Sequence, residues 1–171
     1  MYADATLVDK NILYQGDIIA DFPFYLFENN QPIKKSKTGY FELDGVTEET
    51  DRSLFAIEAR KQNVMILSQT CDVQRRNNVI VCPVYDLKEF IKDNTINSDR
   101  AKEIRNRRIQ YWFYLPEYTK LVESLADFQT MIYVPRTSIE KYTSSRFITF
   151  SDLGRHHLSW SLATYFGRPA E

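Results

Sequence analysis

Five consecutive residues concentrate the chemistry of this sequence: Ser68, Gln69, Thr70, Cys71 and Asp72. They supply two hydroxyls, an amide, a thiol and a carboxylate at the end of an apolar run, where a buried strand emerges and can present groups to a ligand. A thiol between Thr70 and Asp72 is a nucleophile when a nearby cation or base stabilises its thiolate, and His156, His157, Arg75 and Arg76 are the groups able to do so. Without such a partner, Cys71 reads as a buried thiol that helps to close the core. Asp72 has two roles open to it: capping backbone donors in a turn, or pairing with an arginine such as Arg155 to order a site.

Metal chemistry has weaker support. Ten residues separate Cys71 from Cys82, and His156 and His157 are adjacent, which matches no common zinc-ligand spacing. Adjacent histidines on a helix point about 100° apart, so one at most faces a site. There is no phosphate-cradling glycine loop, nucleophile elbow or HExxH pattern, so neither a metal nor a cofactor is implied.

A second chemical feature is basic. Arg100, Lys102, Arg105, Arg107 and Arg108 stand against only Asp99 and Glu103. The segment reads either as a solvated helical face or as a phosphate-facing patch, to which Arg75 and Arg76 would add. The formal net charge of -1 excludes a surface that is basic throughout, so any nucleic-acid binding must use such a local patch.

The elements that must position these groups follow from apolar patterning. Residues 63–73 and 78–84 are short β-branched runs that read as two buried strands joined by a turn over residues 74–77. Before them, residues 1–11 read as a loosely held arm, 12–19 as a strand broken at Gly16, and 21–27 as an extended segment with Pro23 at an edge. Residues 28–60 form a long polar excursion with a short strand at 40–43. After the strand pair, the spacing predicts a short helix over 86–92 and a second from Ser98 through Ile109. Strands are expected at 111–115, ended by Pro116, at 128–134, closed by Pro135, and at 146–150. The chain closes in a helix over 152–166, capped by Ser151 and ended by Gly167 and Pro169. Its core stripe is Leu158, Leu162, Tyr165 and Phe166.

The 171 residues suit one domain, and an aromatic share of 14% suits a β-rich core packed with rings. No signal peptide opens the sequence and no apolar run approaches the ~20 residues that span a bilayer, which predicts a cytoplasmic protein with no membrane partner.

Gly16-Asp17-Ile18, then Val64-Met65-Ile66-Leu67-Ser68, then Val79-Ile80-Val81-Cys82-Pro83-Val84 resemble, in order and type, the motif strands of the PemK/MazF-like toxins. The resemblance covers roughly residues 12–85. It implies an α+β fold built on an SH3-like, mostly antiparallel β-barrel, whose core is about 12–85 plus 109–150, with a helical insertion at about 86–108 and the C-terminal helix outside. It also implies metal-independent RNA cleavage by an Arg and a Thr. Arg60 corresponds to the Arg, while Tyr85 stands where the Thr is expected after the Pro83 strand. The candidate catalytic set is therefore Arg60, Ser68, Thr70, Cys71 and Asp72, with Arg75, Arg76, Arg105, Arg107 and Arg108 as candidate nucleic-acid contacts. The expected function is an RNA- or DNA-interacting barrel in a toxin-antitoxin or phage-defence setting. The alternative is a non-catalytic SH3-like module that docks a partner protein through the 68–72 strand end and the long loop.

Overall fold

A computed structural model describes residues 1–3, 8–9, 11–26, 58–93 and 96–167. The excursion expected over 28–60 therefore lies outside the described residues, apart from its last three, and so does Pro169. The strands, in chain order, are β1 (Ile18–Leu26), β2 (Glu58–Ile66), β3 (Asn78–Asp86), β4 (Trp112–Leu115), β5 (Ser124–Asp127), β6 (Ile132–Pro135) and β7 (Arg146–Ile148). The helices are α1 (Thr70–Arg75), α2 (Leu87–Lys92), α3 (Ser98–Arg105), α4 (Arg136–Glu140) and α5 (Asp152–Phe166).

Among the described residues the strands form one antiparallel sheet in the order β4-β5-β3-β2-β1-β7, with β6 also on β3. The sheet curls into a half-barrel. Phe113, on one outer strand, packs against Phe150, just past the other, with ring centroids 6.1 Å apart. Both belong to a buried cluster with Ile18, Met65, Cys82, Ala126 and Phe128, on which α5 lays Leu158, Leu162 and Tyr165. The opposite face of the sheet carries two further clusters, one beneath α4 and one in which Leu87 of α2 and Ile104 of α3 cover Leu125.

β3 is the central strand because it is the most uniformly apolar, and its one misfit explains the sheet's branching. Leu67 N–H donates to the Ile80 carbonyl and Gln62 Nε2 to the Val84 carbonyl, so even-numbered residues of β3 face β2. Pro83 therefore turns its missing N–H towards the other edge. On that edge β6 pairs with residues 78–81 and β5 with 84–86, leaving Pro83 in the gap where no donor is needed. Pro23 is placed by the same logic, opposite Lys61 on a part of β1 that β7 does not reach.

Several expectations are corrected. The first three residues are pinned, not loose. Tyr2 bridges to Phe150, its hydroxyl donates to the Pro116 carbonyl at 2.8 Å, and its ring stacks on Tyr118, so it spans the two edges of the half-barrel. The strand expected over 12–19 starts only at Ile18, because Gly16 adopts φ +84° in a turn. A Cβ there would lie 2.6 Å from the Phe150 ring. The strand expected to run to Val73 ends at Ile66 and gives way to α1, whose first residue is Thr70. The strand expected over 128–134 is a short 3-10 helix, Phe128–Thr130, followed by β6, and β5 before it was not foreseen. Phe166 is 64% exposed, so the core stripe of α5 stops at Tyr165.

Helix α3 stops at Arg105, four residues short of its expected end. Arg107 N–H donates to the Ile104 carbonyl at 2.8 Å and Arg108 N–H to the Glu103 carbonyl at 2.9 Å, the paired bonds of a Schellman turn. That turn needs a left-handed residue just past the cap. Glycine is usual there, but here Arg107 adopts φ 55°.

Candidate functional site

The 68–72 cluster folds into the scaffold. Ser68 Oγ accepts the Ile80 N–H at 2.8 Å, filling the place of the next β2 carbonyl, and Thr70 Oγ1 accepts the Gln15 N–H at 3.2 Å. Gln15 is itself buried, donating from Nε2 to the Leu67 carbonyl at 2.8 Å and accepting from Ser159 Oγ at 3.0 Å. Beside it, Asp17, fully buried, pairs with Arg146 at 2.9 Å. Arg146 also donates to the carbonyls of Ile12 and Asp9. These bonds tie the 9–17 turn to the β2 end and to α5, and they use the Ser68 and Thr70 hydroxyl oxygens as acceptors.

Cys71 and Asp72 point outwards. Cys71 is exposed, which corrects the expectation of a buried thiol, and its Sγ lies 3.9 Å from the Gln69 side-chain oxygen. Asp72 pairs with Arg76 one helical turn on, at 3.5 Å, while Arg155 pairs with Asp152 of its own helix. The buried thiol is Cys82, and burial pushes it well above its ordinary pKa. Arg60 is exposed on β2, near enough to Tyr85 on the adjacent strand β3 to act on it electrostatically.

The basic segment divides. On α3, Arg100 pairs with Glu103 at 2.9 Å and Lys102 with Asp99 at 3.1 Å. Arg105 grips Glu123 through two bonds of 2.7 and 2.8 Å, and Tyr114 adds a third at 2.8 Å. The Arg105 guanidinium and the Tyr114 hydroxyl hold the Glu123 carboxyl down at about 2. Burial, followed by the hydrogen bond to Glu123, pushes the Tyr114 hydroxyl up to about 12.

Past the Schellman turn the balance changes. Arg107 and Arg108 are exposed, and among the described residues neither pairs with a carboxylate. They line a cleft of about 510 Å³ between the α3–β4 loop, β4 and α5. Its floor is apolar, with Ile109 and Phe113, and the Arg107 guanidinium sits 6.0 Å from the Phe113 ring centre. Its α5 wall carries His157, Trp160, Ser161 and Thr164, and Trp160 is 72% exposed. Ser161 and Thr164 donate their hydroxyl protons to helix carbonyls one turn back, leaving oxygen acceptors on the wall.

Of the ten candidate residues, the structure brings only Arg107 and Arg108 into this cleft; Arg75, Arg76 and Arg105 do not line it. Sequence reasoning missed Trp160. Its signal was available, because a tryptophan off the core stripe of an amphipathic helix is a large ring left in water. The cleft as a whole carried no such signal, since its walls are some fifty residues apart in the chain. No family model matches this chain, and no curated protein matches it in sequence.

Proposed function

We propose that the protein binds nucleic acid through the Arg107–Arg108–Trp160 cleft, as a divergent SH3-like barrel related to the PemK/MazF-like toxins and acting in a toxin-antitoxin or phage-defence setting. The observation that carries the reading is the meeting of two carboxylate-free guanidiniums with an exposed indole around one cleft. Guanidiniums take phosphate oxygens, and aromatic faces take bases. The backbone of Arg107 adds weight. A left-handed non-glycine residue costs roughly 1 kcal/mol and strain of that kind gathers at functional sites; of the three such residues described, Asp21, Arg107 and Thr119, Arg107 lines the cleft. The toxin relationship rests on the order of the three motifs along the sequence; Ile18, residues 64–66 and residues 79–84 of them fall on β1, β2 and β3, neighbours in one antiparallel sheet.

The test is a binding titration with a short single-stranded RNA in EDTA at several salt concentrations, with the same mixtures run on a gel for cleavage. Replacing Arg107 and Arg108 by Ala should weaken binding about 10- to 100-fold and flatten the slope of log K against log salt by about 0.7 if the two share one phosphate and about 1.4 if each takes its own. Unchanged affinity and slope would reject the cleft. Cleavage by the wild type would add an endoribonuclease activity, and alanine at Arg60 would then test the family-like position.

One observation favours a second reading, a protein-docking module. Leu153 and Trp160, seven residues apart on one face of α5, are 61% and 72% exposed. A pull-down that retrieves one stoichiometric protein and fails with Leu153→Ala, alongside absent RNA binding, would favour it.

A further inference from the structure

We infer that the cleft takes a single unpaired nucleotide, with its base laid on the Trp160 indole and its phosphate between Arg107 and Arg108. This rests on the nucleic-acid reading above and specifies which form of nucleic acid the site selects. The volume of about 510 Å³ lies in the range that encloses one small ligand. The two arginines stand on the loop wall and Trp160 on the helix wall, so phosphate and base are recognised from opposite sides. In a duplex each internal base face is covered by its neighbours, so the exposed Trp160 indole, the outer of the two indoles at this cleft, stacks on a base outside a helix in preference to one within it.

The local packing keeps both groups available. Leu158 and Leu162, flanking Trp160 on α5, pack towards the core and leave the indole outward. Arg107 follows the Schellman turn and makes no ion pair with a described carboxylate, and of the carboxylates beside β4, Glu123 is held by Arg105 and Tyr114 and Asp127 by the Gln129 N–H and the Thr130 hydroxyl. Phe113 and Ile109 close the floor with apolar surface, which suits the flat face of a base better than a hydrated ribose-phosphate.

The experiment measures fluorescence anisotropy with a labelled RNA of about eight nucleotides and with the same strand in a blunt duplex, using wild type, Trp160→Ala and Trp160→Phe. The single strand should bind wild type at least ~10-fold more tightly than the duplex. Trp160→Ala should lose roughly 10-fold on the single strand and little on the duplex, while Trp160→Phe keeps most of the preference. Quenching by the same RNA of the tryptophan emission that wild type shows above Trp160→Phe gives a second readout, one that separates Trp160 from Trp112 in the same cleft. Equal binding of both forms, or an unquenched indole with no effect of Trp160→Ala, would overturn the single-nucleotide inference and leave the cleft as a phosphate-binding surface. Failure of wild type to bind either form would overturn both readings.

Discussion

Two polar clusters of this molecule behave in opposite ways. Around Gly16, Asp17 and Gln15, the polar side chains are buried and engaged with one another or with backbone, joining β2, α5 and the 9–17 turn. Around Arg107, Arg108, His157 and Trp160, the side chains are exposed, and the two guanidiniums lack carboxylate partners among the described residues. The first holds the fold and the second is free to bind. The proposed site is placed by unspent hydrogen-bonding and charge capacity at a concave surface and not by chemical richness in the sequence.

The sharpest way to break the contrast is at the buried pair. Arg146→Ala leaves Asp17 without its cation in a fully buried setting and should cost about 3–5 kcal/mol in denaturant unfolding. RNA affinity measured where the variant is folded should not change. A loss below ~1 kcal/mol would show that the cluster does not hold the turn.

The Arg105–Glu123 contact comes next. Glu123 titrates at about 2 in the folded chain against an ordinary 4.5, so the folded state binds this proton less tightly than the unfolded state. Its contribution is present above about pH 4.5 and is lost as pH falls towards 2. Glu123→Gln should cost ~1 kcal/mol at neutral pH and flatten the acid limb of a stability-pH profile, with RNA binding retained. Loss of binding instead would place Arg105 in the interface.

Arg107→Gly separates stability from function within one residue. Glycine relieves the left-handed backbone, so stability should rise by ~0.5–1 kcal/mol while affinity for single-stranded RNA falls several-fold. Stability and affinity moving together would end the argument from strain. The smallest effect is expected at Cys71, where serine should change stability by less than ~0.5 kcal/mol and leave binding intact, since the thiol is exposed.

Legibility followed the range of the interactions. The C-terminal helix was readable because Ser151 caps it by accepting the Gly154 N–H, Gly167 ends it, and Leu158 to Tyr165 repeat at helical spacing. β3 was readable from its unbroken apolar run, and α2 nearly so, with its N-cap at Asp86. The end of α3 was not, because Arg107 occupies a position where a glycine would have announced the turn. Nor was the short helix at Thr70, whose N-cap residue Gln69 makes no side-chain capping bond.

Residue order is enough to specify the periodic elements, the near-neutral charge with a local basic excess, and the pool of groups able to touch an anion. Those are properties of residue type and short spacing. Tertiary structure alone decided which members of the pool were available. Glu123 reaches Arg105 from eighteen residues away, Ser159 reaches Gln15 from 144 away, and Trp160 meets Arg107 across one cleft. Such pairings depend on how the sheet curls and where α5 lies upon it, and no local pattern encodes them.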